Sequence, residues 1–288
     1  MNKVLAYMPL HYGKEYVGYA IRSVYDLVDR IVIFYTPQPS FGHIDPEAVN
    51  PDNREELKEA LTFQVSDDKG KIEWREGWWG NETAHRSAAE SLAKILEYDI
   101  LLAVDYDEVW DAETLRQAIE YVKSSPYKIY RVPFVHLWKG FEMVCRDAAQ
   151  PTRFTKLSGE GETYIPMDKP VYHFGYAISD ELMKYKWTCH GHFDELRKDW
   201  LENTWLKWKK LNNEEIKRQG LDNLLANSNF VLNIIKRIDE GIKENIVYDG
   251  GWFGDVHPTN ENFWTPELFD KNELPDFMKQ HPYWSKKW

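Results

Sequence analysis

Short apolar runs alternate with segments of helical periodicity through the first third of the chain. Residues 4–7 and 31–35 are apolar runs typical of buried strands. Between them, apolar residues recur over 17–28 with the 3.6-residue period of a helix. Strands that alternate with helices predict a mostly parallel sheet joined by right-handed crossovers. The expected fold class is therefore α/β, with helices on both faces of the sheet.

The same pattern continues along the chain, with less regular segments after residue 140. Asp52 is expected to cap a short helix that carries Leu57 and Leu61, and Asp111 to cap another. The remaining predicted elements are strands at 71–75, 99–104 and 127–138, a helix at 83–97, helices over 195–241, and an irregular tail after 246 that wraps over the body.

Composition excludes several classes of protein. With 36 basic and 47 acidic residues in 288, the net charge is −11, which argues against coating nucleic acid by bulk charge. No apolar run approaches the roughly 18 residues that span a bilayer. Two cysteines, Cys145 and Cys189, form no disulfide framework, so we expect a reducing, cytoplasmic location.

Three carboxylates stand in four positions where the predicted strand 99–104 ends. Asp105, Asp107 and Glu108 repel one another unless a cation neutralises them, and Mg²⁺ or Mn²⁺ prefers such oxygen ligands. Ligands of open α/β sheets bind outside the carboxyl ends of the strands, which is where these residues fall. The alternative is a solvated turn that leads into the helix capped by Asp111.

The segment 103–108 resembles the DxD segment of family-2-like glycosyltransferases of the GT-A fold, which use nucleotide sugars. Three other segments resemble family motifs in the same order: 7–9, followed by Glu15; 81–86, which opens the helix before the acidic strand; and 171–176, followed by Met183 and Lys186. The resemblance covers roughly residues 1–195. It implies a nucleotide-sugar-binding catalytic domain over 1–195 and a helical C-terminal extension with a wrapping tail over 196–288.

The resemblance also implies roles for individual residues. Asp105 and Asp107 would hold Mn²⁺ or Mg²⁺, with His173 as a further ligand, and the cation would stabilise the diphosphate leaving group of the donor. Residues implied to bind the nucleotide sugar are Pro9, Tyr35, Arg86, Asp105 and Lys186. Alternative interpretations are a His173 packed between aromatic rings and an Arg86 on a helix surface.

The chain departs from the family in two places. An acidic cluster usually follows the second strand, but here residues 34–40 are Phe-Tyr-Thr-Pro-Gln-Pro-Ser, so nucleotide selectivity stays open. Inverting members use an Asp as the base that activates the acceptor hydroxyl. Asp168, Asp180 and Asp194 are candidates, and inversion or retention stays open.

Other segments offer weaker signals. Cys189, His190, His192 and Asp194 invite a zinc interpretation, but structural zinc normally needs four N or S ligands, so a loop that lines the acceptor site is favoured. Residues 184–218 hold nine basic and six acidic residues interleaved with tryptophans, which suits sugar or base stacking as well as a packed amphipathic helix. His257 lies in a Gly-rich aromatic loop that could act as a lid.

The leading hypothesis is thus a metal-dependent glycosyltransferase whose acceptor is a glycan or a hydroxylated DNA base. A sugar nucleotidyltransferase would share the sheet and the acidic site, but it would need a Gly-rich, Lys-containing loop near the N-terminus. A non-catalytic carbohydrate-binding protein that uses its tryptophans is the third hypothesis.

Overall fold

The computed structural model describes residues 2–39, 45, 47–147, 150–189, 195–206, 256–259, 262–264 and 266–285, and the backbone course of 208–212 and 244–248. Its fourteen strands are β1 (Val4–Leu10), β2 (Arg30–Tyr35), β3 (Ile72–Glu76), β4 (Ile100–Ala103), β5 (Glu108–Val109), β6 (Ile129–Arg131), β7 (Phe134–Trp138), β8 (Met143–Arg146), β9 (Thr152–Lys156), β10 (Glu162–Tyr164), β11 (Val171–Tyr176), β12 (Trp208–Asn212), β13 (Glu244–Tyr248) and β14 (Glu267–Leu268). The α-helices within these described ranges are α1 (Val17–Val24), α2 (Arg54–Gln64), α3 (Glu82–Ile95), α4 (Ala112–Ser124) and α5 (Asp180–Thr188).

A mostly parallel sheet of seven strands forms the centre of the fold. Its order is β10-β6-β9-β4-β1-β2-β3, and β9 alone runs against the other six. Alternate residues of β1 face opposite sides: Val4, Ala6 and Met8 join a core with α1, α2 and α4, whereas Leu5 and Tyr7 pack under α3. Helices therefore cover both faces, which confirms the predicted α/β fold class.

Helix starts follow the predicted capping chemistry with one correction. Asp111 caps α4 by accepting from the backbone of Thr114 at 3.0 Å, as predicted. The cap of α2 is Asn53, which forms a capping box with Glu56, and the prediction of Asp52 is wrong by one residue. The Asp52 carboxylate instead accepts from the backbone N–H of Gly13 at 2.6 Å.

A second sheet of five strands, ordered β14-β8-β7-β11-β5, stands beside the first. The predicted single strand over 127–138 is wrong, because the chain breaks at Pro133 and places β6 in the central sheet and β7 in the second. Proline has no N–H to give to a ladder, which makes it a natural point for a strand to change sheets. Within the second sheet, His173 of β11 is paired with His136 of β7 on one side and with Glu108 of β5 on the other.

The C-terminal third departs from the prediction of helices over 195–241. The described part contains one π-helical turn at Leu201–Trp205 and then β12, which pairs with β13 in antiparallel fashion. Residues 213–243 lie outside the described residues, and the division at residue 195 stays a prediction. No helix in the described part of the chain is long and apolar enough to cross a membrane.

The tail forms β14 and short 3₁₀ turns where an irregular segment is predicted, and it closes over the start of α1. The His281 ring stacks on Tyr16 with ring centroids 4.5 Å apart. Its Nε2 donates to the Glu15 carbonyl at 3.0 Å, and its Nδ1 accepts from the Tyr283 backbone N–H at 3.1 Å. The Tyr283 hydroxyl donates to the Glu15 carboxylate at 2.7 Å, so the tail fastens the N-terminal segment.

A buried guanidinium links β9 to the acidic strand end. Arg153 Nε lies 2.9 and 3.0 Å from the two carboxylate oxygens of the fully buried Glu108, and Nη2 donates to Asp105 at 2.9 Å. Burial works against the charge of Arg153, but Glu108 and Asp105 together raise its pKa above the ordinary value. The guanidinium also lies 4.9 Å from the centre of the Phe134 ring, which sets it between the two sheets.

Removal of this guanidinium is expected to destabilise the fold strongly. Arg153→Leu should lower the free energy of unfolding by about 3–5 kcal/mol, because Glu108 stays buried without its partner. The double variant Glu108→Leu/Arg153→Leu should recover much of that loss, as urea unfolding followed by tryptophan fluorescence would measure. Arg116→Leu, which breaks an exposed pair with Glu113, is the control and should cost about 1 kcal/mol or less. Equal losses of unfolding free energy in Arg153→Leu and Arg116→Leu would contradict the account.

The tail contact predicts a loss of stability in acid. Burial lowers the pKa of His281 to about 4, because the charged imidazolium would lose its hydration, and the bond from Nε2 to the Glu15 carbonyl opposes the shift. The folded state thus binds fewer protons than the unfolded state, so this stability is complete above about pH 6.5 and is lost as the pH falls towards 4. His281→Phe keeps the stack on Tyr16 and should show a shallower fall of the thermal midpoint between pH 7 and 4. An equal fall of the thermal midpoint in the wild type and in His281→Phe would show that His281 does not cause the loss of stability in acid.

Candidate active site

The candidate site lies where the order of the central sheet reverses. The chain leaves β1 towards β2 and β3, then returns to β4 on the other side of β1. The carboxyl ends of β1 and β4 therefore flank a crevice, the usual ligand position in such sheets. A cavity of about 300 Å³ opens there, lined by residues 9–12 at the end of β1 and just beyond it, Thr36 and Pro39 after β2, Glu82 and His85 of α3, residues 105–107 after β4, and His173, Lys186 and Cys189.

The carboxylates of the acidic turn after β4 have different surroundings, because Arg153 of β9 binds two of them. Glu108 points away from the cavity into the pair with Arg153, whereas Asp105 lines the cavity and gives one oxygen to the same guanidinium. Asp107 also lines the cavity with a side chain only 3 % exposed. The Asp107 carbonyl accepts from the Phe174 backbone N–H at 2.7 Å, which ties the turn to β11.

His173 and Lys186 converge on the Asp107 carboxylate. His173 Nε2 lies 3.6 Å from Asp107 Oδ1, and Lys186 Nζ lies 3.6 Å from Oδ2. Lys186 also donates to the carbonyl of Gly175 at 3.3 Å. A Cβ on Gly175 would fall 2.4 Å from His173 Cε1 and 2.8 Å from both Asp107 Oδ2 and Lys186 Nζ. The missing side chain at Gly175 therefore leaves the space that these three groups share.

The buried His136 and the half-buried Asp147 lie on the side of His173 away from Asp107. His173 Nδ1 lies 2.8 Å from Nδ1 of His136, whose Nε2 lies 3.2 Å from Asp147 Oδ2. Burial lowers the pKa of His136 below the ordinary value, against the opposing effect of Asp147. Burial, followed by the neighbouring His136 and Lys186, lowers the pKa of His173 well below the ordinary value. Both rings are therefore neutral at physiological pH.

The opposite wall of the cavity is built from segments after β1 and β2. The His11 ring donates through Nδ1 to the Thr36 carbonyl at 2.8 Å and accepts through Nε2 from the Tyr185 hydroxyl at 2.7 Å. Pro9 lines the cavity, and its role in binding the nucleotide sugar stays a prediction. Tyr35 packs its ring on Trp74 in the core, and its neighbour Thr36 takes the position on the cavity wall.

Residues of helix α3 form the remaining wall of the cavity. Arg86 pairs with Glu82 at 3.0 Å on a partly exposed face. It also lies near the Tyr7 hydroxyl: burial raises the pKa of Tyr7, Arg86 opposes the rise and Asp105 adds to it. His85 lines the cavity, and burial lowers its pKa to about 4. The contacts of Arg86 are therefore with Glu82 and with the Tyr7 hydroxyl.

The three candidates for a catalytic base fall in different surroundings. Asp180 accepts from Lys139 Nζ at 3.0 Å and from Trp205 Nε1 at 2.8 Å, so it is engaged at the start of α5. Asp168 is exposed in the turn before β11. Asp194 lies outside the described residues, together with His190 and His192 of the zinc interpretation. The base stays a prediction.

Cys189 and His257 are the described residues of the weaker sequence signals. The structure gives the surroundings of each. Burial raises the pKa of Cys189 to about 12, which keeps the thiol protonated. His257 packs on Trp264 with ring centroids 4.4 Å apart and accepts from the Thr259 backbone N–H at 3.0 Å. Trp200 and Trp205 of the basic segment are fully buried, so at these positions the packed-core interpretation holds.

Sequence reasoning misses four residues that shape the site: His136, Asp147, Arg153 and Gly175. His136 lies within the predicted strand 127–138, whereas Asp147 and Arg153 lie beside and on strands of the less regular segment after residue 140, and nothing in the local pattern marks any of the three. Gly175 follows two residues after His173 in an aromatic strand, where a glycine interior to a strand indicates close approach of another group. The glycine at 175 could therefore have been identified from the sequence as a point of close approach.

The donor set fits a divalent cation in part. The Asp107 carboxylate is an oxygen ligand of the kind that Mn²⁺ and Mg²⁺ prefer, and the neutral imidazole 3.6 Å from it suits Mn²⁺ better than Mg²⁺, which favours oxygen. Among the described residues, no set of three or more His, Cys, Asp or Glu side chains is arranged to hold a metal. The chain would thus offer Asp107 and His173, and substrate oxygens and water would complete the shell. Asp105 as a third ligand stays a prediction.

Comparisons with known proteins give remote similarities only. No protein-family model matches the chain, and no curated protein matches it. A structure of residues 1–349 of TarS from S. aureus shares 12% identity and a TM-score of 0.39 over 71% of both chains, and its complex with UDP gives 12%, 0.40 and the same coverage. A protein assigned as a nucleotide-diphospho-sugar transferase from Desulfovibrio desulfuricans G20 shares 13% identity and a TM-score of 0.33 over 55% of this chain and 64% of that one. Similarities of this size do not assign a function.

Proposed function

We propose that the chain is a glycosyltransferase that moves a sugar from a nucleotide-diphosphate donor to a hydroxyl acceptor, with Mn²⁺ or Mg²⁺ held by Asp107 and His173. The observation that carries the proposal is the convergence of Asp107, His173 and Lys186 on one small space beside the cavity at the β1/β4 switch point. This site joins a cation-binding pair to a fixed ammonium group, which is what a diphosphate needs.

Each wall of the cavity has a part in this reaction. The cation, when bound, would offset the charge that grows on the diphosphate as the glycosidic bond breaks. Lys186 would face the same phosphate oxygens, since it already lies beside Asp107 without bonding it closely. Pro9, His11 and Thr36 would form the surface for the nucleoside, and Arg86 would reach the diphosphate by leaving Glu82.

The acceptor is proposed by class. A glycan or a hydroxylated DNA base suits the net positive charge of the segment 184–218, in which Trp200 and Trp205 belong to the core and are not available for stacking on an acceptor. Glycan and DNA acceptors can be separated by measuring nucleotide-diphosphate release with oligosaccharides or with hydroxymethylated duplexes as the added substrate.

The donor can be identified before the acceptor is known. A thermal-shift panel of UDP-, GDP-, CDP- and TDP-sugars with and without Mn²⁺ should raise the midpoint for one nucleotide, and more strongly with the metal. No shift with any nucleotide, together with binding of free glycans, would favour a carbohydrate-binding protein.

Loss of the Asp107 carboxylate is expected to remove activity. Asp107→Asn should lower nucleotide-diphosphate release by at least about 100-fold, because the amide cannot replace the anionic ligand beside the leaving group. Enzyme-coupled detection of the released nucleotide would measure the rate. Asp26→Asn, at an exposed pair with Lys69, is the matched control and should keep the full rate. Full activity of the Asp107 variant with Mn²⁺ present would overturn the proposal.

A single methyl group at Gly175 is expected to close the site. Gly175→Ala places its Cβ within 2.8 Å of Asp107 Oδ2, so the side chains around it must move apart. Calorimetry should show that binding of UDP with Mn²⁺ is weakened by at least about tenfold while the protein stays folded. Gly70→Ala meets no atom within 4 Å but sits at φ +60°, so it should lower stability and leave binding unchanged. Unchanged binding in the Gly175 variant would place the ligand elsewhere.

A further inference from the structure

A chain of three side chains, Asp147, His136 and His173, runs from the second sheet to the candidate cation site. We propose that Asp147 and His136 are positioning residues that hold His173 in the one tautomer able to bind a cation. The inference rests on the proposed cation site at Asp107 and His173, and it assigns a role to two residues that no sequence motif marks.

The direction of each hydrogen bond follows from the outermost partner. An ionised Asp147 carboxylate can only accept, so His136 must donate to it from Nε2. A neutral His136 then has a lone pair on Nδ1, which lies 2.8 Å from Nδ1 of His173. One proton lies between these two nitrogens, and it belongs to His173. The Nε2 of His173 is consequently bare.

The bare nitrogen points at a carboxylate. Nε2 of His173 and Oδ1 of Asp107 lie 3.6 Å apart, and both present lone pairs. Two such atoms repel, and a cation shared between Nε2 and Oδ1 would remove that repulsion, while Lys186 Nζ faces the other oxygen of Asp107 at 3.6 Å. A metal-binding histidine with its other nitrogen fixed by an acceptor is the arrangement that orients the ring and raises its basicity as a ligand.

Packing contacts hold these hydrogen-bonded side chains in place. His136 and His173 are paired across the parallel strands β7 and β11, which puts the two rings side by side. The His136 ring is stacked on Trp264 with centroids 4.3 Å apart, and Tyr176 lies 5.8 Å away in an edge contact. His136 is nearly fully buried, so water does not compete for its nitrogens.

The tautomer can be read directly, without donor or acceptor. Long-range ¹H–¹⁵N correlation spectra of the ¹⁵N-histidine-labelled, metal-free protein should show His173 protonated on Nδ1. His136→Phe keeps the ring under Trp264 but removes the acceptor, so the His173 ring should shift to a mixture of tautomers or to Nε2–H. Asp147→Asn can donate to His136 and reverse both bonds, which would also protonate His173 on Nε2.

Affinity for Mn²⁺ alone, measured by calorimetry, is the second measurement. Each variant that loses the Nδ1–H tautomer should bind Mn²⁺ about 10- to 100-fold more weakly than the wild type, and a variant that keeps the tautomer should keep the affinity. Asp26→Asn serves as the control and should match the wild type in both measurements. Far-ultraviolet circular dichroism checks that His136→Phe is folded, and Asp147→Asn provides a second, less disruptive change.

Three results would overturn the inference: Nε2–H on His173 in the wild type, no binding of Mn²⁺ by the wild type, or loss of affinity in a variant that keeps the tautomer. None of these measurements involves sugar transfer. A protein that binds Mn²⁺ as described but releases no nucleotide diphosphate would contradict the proposed function and leave the positioning role intact.

Discussion

The geometry of the site depends on the buried guanidinium of Arg153. Carboxylates on the acidic turn would repel one another, yet Arg153 binds both oxygens of Glu108 and one of Asp105, so of the two carboxylates that line the cavity Asp107 is the one that Arg153 does not bind. Because Arg153 lies on β9, the one strand that runs against its neighbours in the central sheet, the turn is anchored from a part of the chain 45 residues away from Glu108. Burial of such a pair gains little net stability, so its value here is in fixing one arrangement of three carboxylates.

The second sheet places His173 beside the carboxylates that follow β4 of the central sheet. The central sheet delivers Asp105 and Asp107 to the switch point, and β11 delivers His173 beside them because it pairs with β5 directly after the acidic turn. The backbone bond from Phe174 to Asp107 locks the two together. The site therefore consists of a fixed carboxylate, a neutral imidazole and an ammonium group, with a glycine that leaves room among them.

Much of the fold could be predicted from sequence, because β1, β2 and β4 are continuous apolar runs and their helices have regular periodicity. The place of Asp105 and Asp107 at a strand end followed from the same pattern, and Pro9, His173 and Lys186 line the same cavity, while the roles of all five stay predictions. Arg153, His136 and Asp147 could not be predicted, since each acts through a pairing between distant strands that local pattern does not encode. The turn at Pro133 misled the prediction of one long strand, because both halves have strand-like composition and only their sheets differ.

The segment after residue 195 was predicted as helical from its leucine and tryptophan spacing, but β12 pairs with β13 across more than thirty intervening residues. Apolar spacing in a short segment does not separate a helix from a strand that is stabilised by a distant partner.

Anomalous diffraction from crystals grown with Mn²⁺ and UDP would test the central claim most directly. We expect one manganese peak at about 2–2.5 Å from both Asp107 Oδ1 and His173 Nε2, with phosphate oxygens completing its shell and Lys186 turned towards them. A bound nucleotide with the metal peak absent from this position, or with the diphosphate directed away from Asp107, would contradict the account.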